Sequence, residues 1–122
     1  MTDPRYDIDT DKTLFAAGEH FDVAAVAAAQ SPWWNRTLCE VDDTLVRLGV
    51  LDGDFHWHKH DGQDEFFLVL EGQLDIELED RMVSLKPGQA FTVPADTMHF
   101  PHARGRTVVL MIEKAGVVPT GD

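Results

Sequence analysis

The stretch FHWHKHDGQDEFFLVLEG, residues 55–72, decides the reading of this chain. Histidines stand at every second position, as His56, His58 and His60, and Glu65 opens the strongly apolar run that follows. On a strand, successive side chains point to opposite faces. FHWHKH read as a strand therefore puts the three imidazoles on one face and Phe55, Trp57 and Lys59 on the other. Asp61 to Asp64 reads as a turn, which makes EFFLVLEG the second arm of a hairpin and brings Glu65 opposite His58 or His60. A carboxylate at the head of an apolar strand is costly to bury alone, but a divalent cation beside it stabilises it. Two or three imidazoles and one carboxylate make a suitable shell for a first-row transition metal.

Outward from this stretch the period stays strand-like. TLCEV and TLVRLGVL are separated by the turn signal Asp42-Asp43, and Asp52-Gly53-Asp54 turns into the histidine segment. After Gly72, Leu74, Ile76 and Leu78 alternate with Asp75, Glu77 and Glu79, an acidic set expected to form a solvated face with Asp80. RMVSL, AFTVP and TVVLMIE supply further strands, and the ending KAGVVPTGD reads as a loop. One helix is expected in HFDVAAVAAAQSPWW, with Asp22 as N-cap, Val23, Val26 and Ala27 on one face, and Pro32 forbidding continuation. Residues 1–13, which carry Asp3, Asp7, Asp9 and Asp11, read as a flexible acidic N-terminal tail, and residues 14–122 as a single domain. Many short strands with Gly, Pro and Asp turns predict an all-β sandwich or barrel.

Composition narrows the function classes. Ten basic against twenty-two acidic side chains give a net charge of -12 over 122 residues, which repels nucleic acid and anionic membrane surfaces. No basic-then-apolar leader and no apolar run long enough to span a bilayer is present, so a cytoplasmic location is expected. The lone cysteine, Cys39, reads as a small buried thiol in a reducing compartment. Serines outside a nucleophile elbow, the lack of a phosphate-binding glycine loop and the single cysteine leave other common chemistries without support.

A further ligand is supplied downstream, where PGQAFTVPADTMHFPH places His99 after a short strand and a proline-initiated turn, with His102 close behind. At this point the pattern resembles the cupin superfamily. Its first motif, a glycine and then His-x-His, Glu and Gly, is matched by Gly53, His58-Lys59-His60, four residues, Glu65, six residues and Gly72. Its second motif is matched by Gly88, five residues, Pro94-Ala95-Asp96, two residues and His99. Gly53 lies one position closer to the first ligand than the motif asks, Asp96 stands for a glycine, and Ala103 for an asparagine. The ends of the chain are similar to small single-domain cupins often labelled mannose-6-phosphate isomerase-like. The resemblance implies a jelly-roll barrel in which His58, His60, Glu65 and His99 bind Fe(II), Mn(II), Ni(II) or Zn(II).

The function so implied is a metal-dependent enzyme acting on a small molecule, a dioxygenase in preference to an isomerase, epimerase or lyase. The alternative is a non-catalytic sensor or storage module holding a metal or small ligand. His56 is the candidate general acid or base, or else a partly buried strand residue. His102 is expected in a loop near the mouth of the site, and His20 on the surface. Phe66, Phe67, Phe91, Phe100 and Met111 are candidates to line a cavity, and Arg104 and Arg106 to attract a carboxylate or simply to be solvated. Trp33 and Trp34 are read either as a homodimer contact or as a cap on the barrel end.

Overall fold

The structure is a computed structural model that describes residues 5–121. In chain order its elements are β1 (Asp7–Thr13), α1 (Val23–Ala28), β2 (Trp34–Val41), β3 (Thr44–Asp54), β4 (Glu65–Glu71), β5 (Leu74–Leu78), β6 (Met82–Leu85), β7 (Ala90–Val93) and β8 (His99–Lys114). The strands run β1-β2-β3-β8-β4-β7, with β5 joined to β8 and to β6. Strand β8 organises the molecule. Its C-terminal half lies between β3 and β4, with Leu110 opposite both Leu48 and Leu68, and its N-terminal half pairs with β5, Pro101 opposite Ile76. The all-β architecture expected from the turn spacing is therefore present.

Period two decides which side chains enter the interior. Phe67 and Val69 of β4, Leu74, Ile76 and Leu78 of β5, and Val109 and Met111 of β8 meet in one buried cluster. The opposite parity of β3 and β8, Leu48, Val50 and Val108, packs outside the roll against Ala27, Trp34 and Leu38. Helix α1 covers this second cluster. Asp22 caps it as expected, accepting a hydrogen bond from the Ala25 amide at 3.2 Å, and the helix ends before Pro32.

Three segments depart from expectation. The acidic N-terminal segment was expected as a loose tail; its residues 1–4 lie outside those described, but Asp7–Thr13 forms β1, parallel to β2. An edge strand needs backbone partners more than buried side chains, and within β1 no side chain is buried and only Ile8 and Asp9 are half-buried, while Tyr6 just before it is buried. FHWHKH is not a regular strand. His58 alone pairs, as an isolated bridge to His99, while the Phe55 amide bonds to the Pro101 carbonyl at 3.0 Å. Pro101 has no N–H to return, so the ladder lapses there. Residues 99–106, expected as loop, are strand, because β8 continues past the bulge opposite Leu51 and Gly53 to reach β5.

Candidate metal centre

His58 and His60 project from the segment that runs against the start of β8, Glu65 from the first position of β4, and His99 from the first position of β8. Two loops hold these origins together. Asp64 accepts from the Ala95 amide at 2.8 Å, and Asp96 accepts from the Gly62 amide at 2.9 Å, so the loops before Glu65 and before His99 brace each other. Asp96 takes φ 61°, the left-handed conformation that glycine adopts freely and aspartate tolerates. This accounts for an aspartate at the motif's glycine position.

The four side chains are buried and offer ligand atoms that all lie within 4.8 Å of one another. Glu65 Oε1 is 3.2 Å from His60 Nε2 and 3.7 Å from His99 Nε2, the latter too long for a hydrogen bond. His58 Nδ1 is 3.0 Å from its neighbour's carbonyl at His56, and His99 Nδ1 is 2.9 Å from the Thr97 carbonyl. Each Nδ1–H donating to a carbonyl leaves Nε2 as a lone pair, the form a metal takes. His99 Nε2 and His60 Nδ1 are buried without a hydrogen-bond partner, which is costly unless something else occupies them.

The electrostatics agree. Burial, followed by the neighbouring His99, pushes His58 down to about 4, so it is neutral at pH 7. Burial opposes ionisation of Glu65, but the hydrogen bond from His60 and the close approach of the His99 ring outweigh it and hold the carboxyl well below its usual range. Neutral imidazoles and an ionised carboxylate fit a divalent metal, and the group could hold one.

A cavity of about 40 Å³ adjoins the cluster, with His58 and Glu65 on its wall beside Trp33, Phe55, Phe67 and Met111. Phe67 and Met111 line it as expected. Phe66 and Phe91 do not: Phe66 is half-buried on the other face of β4, and Phe91 packs against the core. Phe100 stacks on His102. Trp34 is buried under α1, and half-buried Trp33 lines the cavity with its indole N–H on the Asp52 carbonyl at 2.6 Å.

His56 is not brought into the cluster. Its Nε2 is 2.7 Å from the Thr120 carbonyl and its ring packs on Phe55 and beside His58. His102 is not at the mouth either. It lies within β8, between Asp54 at 2.8 Å and Glu77 at 3.0 Å, whose charges raise its pKa against the effect of burial. Arg104 bonds Asp75 at 2.6 Å, which buries Asp75 instead of leaving it on a solvated face, and Arg106 bonds the Ala27 carbonyl at 2.8 Å.

Two interior groups escaped the sequence reading. Arg47 of β3, 1% exposed, donates to Thr37 and Asn35, both at 2.5 Å, and its Nε lies 3.3 Å from Glu113 Oε1. Glu113 of β8 stands in register with Glu65 across the β4–β8 ladder. Burial, followed by the charge of Glu65, pushes Glu113 up to about 9. The signal was parity: counting back by twos from Leu51 reaches Gly49 and Arg47, and forward from Val109 reaches Met111 and Glu113.

A family model described as the cupin domain matches residues 45–113. An uncharacterised Bacillus subtilis protein, YdbB, is 40% identical over 80 residues, 65% of this chain and 71% of its own length. The crystal structure of a cupin-2 domain containing protein from Shewanella frigidimarina matches with a TM-score of 0.70 at 30% identity, over 75% of this chain and 89% of that one. A Ralstonia eutropha protein provisionally named a mannose-6-phosphate isomerase matches with a TM-score of 0.67 at 23% identity, over 79% of this chain and 97% of that one, a likeness of fold alone. Among the described residues no helix is long and apolar enough to cross a membrane.

Proposed function

The chain belongs to the cupin family, and on that premise we propose that it is a metal-dependent enzyme acting on a small molecule. One observation carries the proposal: four buried ligand residues converge beside a cavity that opens onto two of them, His58 and Glu65. A first-row metal held by His58, His60, Glu65 and His99 would supply Lewis-acid or redox chemistry to a coordinated oxygen. Oxygen-dependent chemistry is preferred to isomerisation, epimerisation or lyase chemistry, because mixed imidazole and carboxylate shells suit redox-active metals. The chain's own contribution is to hold the ligands in their binding forms and to keep water out with Trp33, Phe55, Phe67 and Met111. His56 is proposed to carry a proton at its Nε2, which must first leave the Thr120 carbonyl. The single cysteine supports a cytoplasmic setting as part of the same proposal.

The test is an oxygen-electrode screen of Fe(II)-loaded protein against phenols, catechols and short diketones, with a parallel screen under nitrogen read by NMR. Oxygen uptake that needs both Fe(II) and one compound class is the expected result. Conversion only under nitrogen moves the assignment to isomerisation or cleavage. Metal bound without turnover of any compound makes the protein a sensor or storage module.

A further inference from the structure

The cavity beside His58 and Glu65 is walled almost wholly by the sheet. Its lining residues lie in strands or are tied to one through the backbone. Trp33 accepts from the Asp7 amide at 3.1 Å, Phe55 donates to the Pro101 carbonyl at 3.0 Å, and His58 bridges to His99. Pro119 is the exception. It belongs to the closing segment, residues 116–121, which follows β8 and lies outside every strand.

That segment is fastened lightly. Gly116 takes φ 97°, a left-handed turn just past the end of β8. Two amides bond locally, Val117 to the Lys114 carbonyl at 3.3 Å and Gly121 to the Val118 carbonyl at 2.8 Å. Among the described residues, the segment makes one hydrogen bond to a residue distant in sequence, between His56 Nε2 and the Thr120 carbonyl at 2.7 Å. A carbonyl only accepts, so His56 donates. Val117 is buried, while Val118 is 44% exposed. A Cβ on Gly121 would lie 2.5 Å from His58 Cβ, so the end of the segment rests on a ligand-bearing side chain.

Segments with few backbone bonds and little buried surface open locally at low cost, whereas core strands open only with much of the fold. The least costly way into the cavity therefore passes Pro119. We propose that residues 117–121 form a strap over the cavity, latched by His56, which lifts to admit the ligand and returns to keep water out. Lifting also frees His56 Nε2, so ligand entry and the availability of that nitrogen are coupled. The proposal deepens the reading of the cavity as a ligand site and rests on it, but the opening itself needs neither metal nor ligand.

Opening is measured with a thiol placed inside the cavity. Met111 and Leu51 both line it and are each 6% exposed. Met111→Cys is made in the full-length Cys39→Ser chain, with Leu51→Cys as a second reporter should the first fail to fold. Reaction with methyl methanethiosulfonate is timed on metal-free protein from zero to low urea. The expected result is slow labelling with almost no urea dependence, the mark of a local opening that exposes little surface. His56→Phe keeps a ring on Phe55 and removes the latch, and should speed labelling about fivefold. Val117→Ala weakens the buried anchor and should speed it about tenfold. Labelling that rises with urea as steeply as global unfolding, or that neither variant speeds, overturns the strap. The expected pattern in protein that takes up no metal upholds the strap while the metal-enzyme reading fails, so the two are separable.

Discussion

His58 and Glu65 occupy one buried group in opposite electrostatic states, one held neutral and the other ionised. Both are the forms a metal requires; the two residues were legible from the His-x-His and Glu spacing, although the regular strand expected for the histidines is reduced to a single bridge at His58. Glu65→Gln keeps the shape and removes the charge. It is expected to weaken metal binding by about 100-fold or more, since even partners behind the ligands are worth about 10–100-fold; competition with a chromophoric chelator measures this. Arg47 and Glu113 were not legible as a pair, because parity places each inside but says nothing about which charge it meets across the barrel. Arg47→Ala removes donors from Thr37, Asn35 and the Asp9 carbonyl and should cost about 3 kcal/mol or more in urea denaturation. A loss below about 1 kcal/mol would show that those bonds do not matter to folding.

Elements with a clear period and a clear stop were read correctly. Helix α1 had its cap and its proline, and β4 had an apolar run headed by Glu65. Elements held mainly by backbone pairing were not. Strand β1 has almost nothing to bury, and the histidine segment lost its ladder to Pro101, a residue distant in sequence. The connection from β4 to β5 makes a sharp prediction. Gly72 has φ 83°, and a Cβ there would lie 2.5 Å from the Arg106 carbonyl oxygen and 2.7 Å from Thr107 Oγ1. Gly72→Ala must strain the turn and push on β8 at once. It should cost about 3 kcal/mol or more, read as a lowered urea midpoint. At the C-terminal end, a Cβ on Gly121 would lie 2.5 Å from His58 Cβ, so this closing segment packs directly on a metal-ligand candidate.

At the scale of the whole molecule, the fold was legible from strand count and turn spacing, while the site depends on how β8 bends to serve both halves of the barrel. The metal-free protein has a pH signature. Folded His58 titrates near 4 against 6.5 when free, so its contribution is complete above pH 6.5 and is lost as pH falls toward 4. Folded Glu113 titrates near 9 against 4.5 when free. The unfolded chain releases that proton first, so Glu113 removes stability as pH rises from 4.5 to 9. Between 4.5 and 6.5 the two oppose each other, and above 6.5 Glu113 acts without His58. Metal-free protein should therefore lose stability from pH 6.5 to 9, and Glu113→Gln should flatten that fall. Urea midpoints across the range measure it, and an unchanged slope in the variant would show that Glu113 is ionised in the fold.

The central claim is that His58, His60, Glu65 and His99 form a metal centre. The most direct test is the metal content of untagged protein by mass spectrometry, beside the His58→Ala/His60→Ala variant, each taken as purified and after anaerobic loading with Fe(II), Mn(II), Ni(II) or Zn(II). The predicted result is near one metal per chain in the parent and none in the variant, with thermal stability raised by the metal in the parent alone. A parent that holds no metal after loading, or a variant that holds as much as the parent, would contradict it.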